Sequence, residues 1–171
     1  MSVVRQCVTV GGVEVVEPAT AEEIDYVFDH MHPEEFSEGE DLSTTKESHR
    51  RSVLDARRSM TVKHNGAILA VACLTDVDGG DERYRVLAMS RTAHALEKGH
   101  RFTWLRAYGP LADWLRESDA RFSDNGRLVA LSPTNLPRAL DVYRYAGARV
   151  RKTINPEGHR SYWVIDLEKE V

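Results

Sequence analysis

The run Arg127-Leu-Val-Ala-Leu131, followed by Ser132-Pro-Thr-Asn135 and continuing to Ala146-Gly147, decides the fold. Its first part is apolar and β-prone, so it reads as a buried strand. The Ser-Pro-Thr-Asn turn then opens a short amphipathic helix that carries Ala139, Val142 and Tyr143. Ala146-Gly147 stops that helix, and two more strand-like runs follow, Val150–Ile154 and Tyr162–Leu167. Strand, Asn-containing turn, helix, glycine stop and strand pair is the ending of an α/β chain.

Working back from there, Lys98 to Glu117 is the longest helical segment. Phe102, Leu105, Tyr108, Leu111, Ala112 and Leu115 are expected to line one face at a period near 3.6. Gly109-Pro110 lies inside it. An internal proline costs about 3 kcal/mol against alanine, so a kink or a two-piece helix is expected. Before it come three strands. Met60–His64 and Ala67–Asp76 are joined at Asn65-Gly66, a strong hairpin signal. Tyr84–Ser90 follows the turn Asp78-Gly-Gly-Asp81, and Ser123-Asp-Asn-Gly126 is a second clean turn.

The N-terminal part supplies two helices. Thr20-Ala-Glu-Glu23 has capping-box spacing, and Ile24, Val27, Phe28 and Met31 follow at i, i+3, i+4 and i+7. Thr44-Thr-Lys-Glu47 opens a second helix, expected to run to about Arg58 with a basic face of Lys46, Arg50, Arg51, Arg57 and Arg58. Pro33 to Asp41 is an acidic loop between them. Val13–Val16 reads as a strand closed by Pro18, and Met1–Gly12 as an arm or an edge hairpin. The order β-α-α-β-β-β-α-β-α-β-β implies a mixed sheet with helices on both faces.

Composition narrows the function classes. A chain of 171 residues with 42% hydrophobic and 29% charged residues is expected to form one domain with a substantial core. A net charge of −4 gives no reason to expect nucleic-acid binding. No apolar run approaches the roughly 20 residues of a membrane span, and Met1–Val10 lacks the apolar core of a signal peptide. Cys7 and Cys73 have no partner spacing, which suits a reduced cytoplasmic protein. His30-Met-His32 lacks a third metal ligand nearby, so no metal is expected. Neither a P-loop nor a Gly-x-Ser-x-Gly motif occurs.

The element order from Val13 to Leu167, with the Asn135 turn and the Gly147 stop, resembles the GNAT superfamily of N-acetyltransferases. Within it, Met89-Ser90, Leu105-Arg-Ala-Tyr108, Thr134-Asn135 and Tyr143-Arg-Tyr-Ala-Gly-Ala-Arg-Val150 look most like the GNAT-like virion proteins of autographivirus-type podophages. The resemblance implies acetyl-CoA as cofactor and an amine, on a host or viral protein, as acceptor. It also implies where these bind. The peptide-like pantetheine arm would lie on the strand edge of Leu87, Ala88, Met89 and Ser90. The pyrophosphate would sit at the next helix start, near Arg91, Lys98, Gly99, His100 and Arg101, where the helix dipole favours an anion.

Tyr143 matches the position of the proton donor to the departing thiolate. The alternative is a tyrosine packed on the sheet. Asn135 lies beside the cofactor in the resemblance, or else caps its helix, with Pro137 in the first turn. The chain departs from the family in the phosphate loop, where Arg91-Thr-Ala-His-Ala-Leu-Glu-Lys-Gly-His100 places its glycine late. The strand Tyr84–Ser90 holds no carboxylate to act as base, leaving Asp76 and Glu82 as flanking candidates. His94 and His100 flank the loop as phosphate contacts or solvated side chains. A second reading therefore keeps the fold as a scaffold without catalysis, a virion-assembly factor or a host-targeting effector that binds a protein partner. The C-terminal strands offer an edge for a homodimer.

Overall fold

In the computed structural model, described for residues 4–31, 42–78, 83–119, 127–133, 149–154 and 162–167, one eight-stranded sheet organises the chain. Its strands are β1 (Gln6–Val10), β2 (Val13–Glu17), β3 (Arg58–His64), β4 (Ala67–Asp78), β5 (Arg83–Arg91), β6 (Arg127–Pro133), β7 (Arg149–Ile154) and β8 (Tyr162–Asp166). They lie in the order β1-β2-β3-β4-β5-β6-β8-β7. Every neighbouring pair is antiparallel except β5 and β6, which run parallel. The helices are α1 (Ala21–Asp29), α2 (Leu42–Leu54) and α3 (Arg101–Ser118).

The helices cover both faces, as the element order implies. On one face Ile24, Val27 and Phe28 of α1 and Val53 of α2 pack on Val71 and Cys73 of β4. On the other, Trp104, Tyr108, Leu111 and Leu115 of α3 pack with Val13, Val15, Met60, Leu74 and Leu128. The N-terminal residues form the edge hairpin. Gly11 turns it with φ +57°, and a Cβ there would come within 2.9 Å of Pro110 Cβ, so only glycine lets the turn slide under α3. Asn65-Gly66 turns the β3–β4 hairpin with positive φ at both positions.

The capping box of α1 is present: Thr20 Oγ1 accepts from the Glu23 amide at 3.1 Å, and Glu23 Oε1 accepts from the Thr20 amide at 3.0 Å. Three expectations need correction. Helix α2 begins at Leu42, so Thr44 lies inside it rather than capping it, and it ends at Leu54 rather than near Arg58. Helix α3 begins at Arg101 and passes through Pro110 as one helix, not two pieces. Its buried stripe is set by Trp104, Ala107, Tyr108, Leu111, Ala112 and Leu115, leaving Phe102 60% exposed. Trp104 buries more area than Phe102, and its phase wins. The loop Pro33–Asp41, the turns at 79–82 and 123–126 and the helix expected after Asn135 lie outside the described residues.

Arg57 and Arg58 lie past the end of α2, where a buried acid engages them. Asp119, just past α3, accepts from Arg57 Nη1 at 2.8 Å and from Arg85 Nη1 at 3.3 Å. Arg58 Nη1 lies 3.5 Å from Asp119, while its Nη2 and Nε donate to Glu17, each at 2.7 Å. Burial opposes ionisation of Asp119, but the hydrogen bond and charge of Arg57, with Arg58 and Arg85, outweigh it and hold the carboxyl below its usual range. This network ties β3, β5 and α3 together. Asp119→Ala is expected to lower stability by about 3–5 kcal/mol, because it leaves guanidinium groups around a buried site without their shared anion. Urea unfolding of both proteins measures it.

Glu23 behaves similarly at the start of α1. Burial alone would raise its pKa, but the Thr20 amide, Lys63 and Thr61 bring it down to about 2. A depressed carboxylate stabilises the fold above its unfolded pKa, and that contribution is lost as pH falls toward the folded value. Glu23→Gln is therefore expected to reduce stability at neutral pH and to flatten the acid loss between pH 4.5 and about 2. Stability against pH for both proteins checks the sign.

Candidate active site

The two parallel strands part company halfway along. β5 and β6 pair only at Tyr84↔Arg127, Arg85↔Leu128 and Val86↔Val129. Beyond that point β5 remains bonded to β4 as far as Arg91, and β6 to β8 as far as Pro133. The sheet therefore opens into a wedge toward the C-terminal ends of β5 and β6. Among the described residues, no strand pairs with the gap-facing backbone groups of Leu87–Ser90 and Ala130–Pro133. Such groups require hydrogen bonds, and an extended, peptide-like ligand can supply them as an added strand would.

Register fixes which side chains flank the gap. Met89 and Leu87 sit opposite Ala72 and Leu74 and share the α3 face, as does Arg91 opposite Ala70. Ala88 and Ser90 sit opposite Cys73 and Val71 and share the α1 face. Ala88 is exposed although it lies in a central strand, so the α1 side of the wedge is open. Leu87, Ser90 and Arg91 are buried. Cys73, with its thiol pushed up to about 11 by burial, is no nucleophile.

Thr92 closes the end of β5. Its amide donates to Leu69 O at 2.8 Å and its hydroxyl to Ile68 O at 2.8 Å. It also bridges Met31 at the end of α1, and the next amide, Ala93, donates to His30 O at 3.0 Å. A single 3-10 turn, Ala93–Leu96, follows, then Lys98 and Gly99 lead into α3. Gly99 has φ +98°, which gives the late glycine a backbone role. Lys98, Gly99 and Arg101 are exposed, and the first turn of α3 carries no acidic residue. The positive end of the helix dipole and two cations thus meet at one spot, a setting for an anion. The amides of His100 and Arg101, however, already donate to Glu97 O at 3.0 and 3.1 Å.

Several expected site residues are placed elsewhere or otherwise engaged. Tyr143, Asn135 and Glu82 lie outside the described residues. Asp76 is not a candidate base, because it pairs with Arg57 at 3.3 Å beside Arg85, at the closed end of β5. His100 Nδ1 lies 2.9 Å from His64 Nδ1, so His100 is not simply solvated. His94 is likewise engaged, with Tyr26 Oη at 2.8 Å and Glu97 Oε1 at 3.0 Å. No group able to hold a metal occurs among the described residues. No helix among them is long and apolar enough to cross a membrane. Sequence reasoning missed Tyr26, whose only signal was its place between the core positions Ile24 and Val27.

A central sheet that splits between two parallel strands, with a helix starting at the split, defines the fold class. It is that of GNAT acetyltransferases, and solved structures agree. The aminoglycoside acetyltransferase AAC(6')-Ib, in complex with ribostamycin and coenzyme A, superposes with a TM-score of 0.63 at 16% identity, covering 91% of this chain and 93% of that one. A GNAT-family acetyltransferase from Bacillus anthracis gives 0.59 at 9% identity, over 94% and 97%. A chimera of the spermidine N-acetyltransferase SpeG from Vibrio cholerae and hSSAT gives 0.55 at 13% identity, over 90% and 93%. No protein-family model and no curated protein sequence matches the chain.

Proposed function

We propose that the protein is an acetyl-CoA-dependent N-acetyltransferase acting on a cationic primary amine. The observation that carries this reading is the wedge at Leu87–Ser90 and Ala130–Pro133, where β5 and β6 no longer pair with each other, opening beside the start of α3. The pantetheine arm has peptide-like amides that fit the free edge of β5 along Leu87, Ala88, Met89 and Ser90. Lys98 and Arg101, with the α3 dipole, suit a pyrophosphate next to it. When bound, acetyl-CoA supplies an activated acyl thioester. The chain's own residues align it on the strand edge and present an amine from the α1 side. Asp29, exposed at the C-terminal end of α1, and Glu97 give that side a negative character that favours a cation. Two of the structural neighbours are named for spermidine and aminoglycosides, both of which carry several amino groups. A lysine side chain on a protein has the same chemistry. Tyr143, carried over from the family resemblance, protonates the departing thiolate, and the same resemblance assigns Asn135 to the cofactor.

One observation favours a second reading. The 3-10 turn replaces a glycine-rich phosphate loop, and the His100 and Arg101 amides are already donated to Glu97 O. A scaffold that binds a protein partner without turnover needs no phosphate nest.

Calorimetry with acetyl-CoA and CoA separates the two. Micromolar binding that weakens at least about tenfold in Lys98→Glu/Arg101→Glu supports the enzyme, tenfold being 1.4 kcal/mol. No binding at millimolar cofactor leaves the scaffold. In an active protein, Tyr143→Phe is expected to reduce kcat by about 10²-fold with little change in KM for acetyl-CoA, the size of a lost general acid. Steady-state kinetics of the pair of proteins decides that assignment.

A further inference from the structure

We propose that Tyr26, His94 and Glu97 form the proton-accepting chain for the amine, an assignment that rests on the acetyl-transfer reading above. An attacking amine must lose a proton, and β5 carries no carboxylate to take it. Asp76 is tied to Arg57 at the closed end of the strand, and Glu23 is held by Thr20, Thr61 and Lys63 at the start of α1. The open end is different. There α1 ends against Thr92 and Ala93, directly after the last residue of β5, on the face where Ala88 is exposed and Ser90 is small.

Three side chains line up at that end. Glu97 Oε1 lies 3.0 Å from His94 Nδ1, and His94 Nε2 lies 2.8 Å from Tyr26 Oη. An ionised carboxylate only accepts, so Nδ1 carries the imidazole hydrogen and Nε2 offers its lone pair. The Tyr26 phenol then donates to Nε2, and its own oxygen lone pair remains for an N–H of the substrate. His30 holds the phenol ring in place. It stacks on Tyr26 at 4.1 Å, and its Nδ1 donates to the Tyr26 carbonyl at 2.8 Å. Tyr26 and His94 are only half-buried, so an amine can reach them.

In the step, an N–H bond of the amine breaks as its proton passes to the Tyr26 oxygen. The phenolic proton passes to His94 Nε2, and the resulting imidazolium is held by Glu97. The freed nitrogen lone pair forms the bond to the acetyl carbon, the carbon–sulfur bond breaks with its electron pair leaving on sulfur, and the second proton of the former ammonium passes to that thiolate, leaving a neutral amide and the CoA thiol. Tyr26 is the residue that touches the amine; His94 and Glu97 act through it.

The full chain tests this with acetyl-CoA and spermidine as the probe amine. Tyr26→Phe and His94→Gln are expected to lower kcat by about 10²-fold, with KM for acetyl-CoA and calorimetric binding of CoA unchanged. Glu97→Gln is expected to act in the same direction and less strongly. A fall of less than threefold in both Tyr26→Phe and His94→Gln overturns the relay while leaving the transfer reading intact. Absence of acetyl-CoA binding by the unaltered protein overturns both. Nitrogen-15 NMR of the histidines gives a readout independent of turnover. His94 is expected as the Nδ1–H tautomer; an Nε2–H form in the unaltered protein overturns the assignment.

Discussion

β6 is bonded to β8 as far as Pro133 and β5 to β4 as far as Arg91, yet the two cease to bond each other after Val86 and Val129. Each strand is therefore held from its outer side, and neither can swing across to close the gap. The wedge is a property of the register of the whole sheet rather than of a loop. Its lips carry main-chain donors and acceptors, which water or a ligand must satisfy. Placing a ligand there also places it between two helix ends, because α3 starts near the tip of β5 and α1 stops against it. Ligands in open sheets containing parallel strands gather at such points.

Thr92 makes that convergence rigid. It is fully buried, spends both its amide and its hydroxyl on β4, and bridges Met31. A threonine here does what a longer side chain could not, since its hydroxyl reaches a main-chain carbonyl in the space of one bond from Cβ. The result is a polarity across the tip of β5. On one face the start of α3, with Lys98 and Arg101, is positive. On the other the end of α1, with Asp29 exposed and no basic residue in its last turn, is negative. An anionic cofactor tail and a cationic acceptor would thus approach from opposite sides.

The parts legible in the sequence are those whose cause is local. The Thr20–Glu23 box and the Asn65-Gly66 turn each act within a few residues, and both stand where their spacing places them. The alternation of strands and helices was equally readable, because each element must bury its own apolar face. The end of α2 was not. Arg57 and Arg58 are good helix formers, yet they lie past the helix, paired with Asp119, Asp76 and Glu17, all distant in sequence. The phase of α3 was misjudged at Phe102 because two stripes compete there, and burial of Trp104 decides between them. The Tyr26–His94 contact joins residues 68 apart and depends on α1 docking at Thr92. No spacing rule reaches that far.

The two ends of β5 differ in how their polar side chains are paired. At the closed end Arg85 meets Asp119 together with Arg57 and Arg58, and the strand pairs on both sides. With Asp76 pairing Arg57 and Glu17 pairing Arg58, three cations meet three carboxylates, and an unpaired member in that largely buried setting would be costly. At the open end the side chains are half-exposed, joined by neutral or singly charged hydrogen bonds, and the strand pairs on one side only. A ligand can exchange with such groups at little cost, because water already competes for them. If the ion cluster stood at the open end, its desolvation would have to be undone at each binding event. If the histidines stood at the closed end, no substrate could reach them. The position of Asp119 at the end of α3, and of Tyr26 near the end of α1, is what keeps the buried ion cluster and the half-exposed histidine chain at opposite ends of one strand.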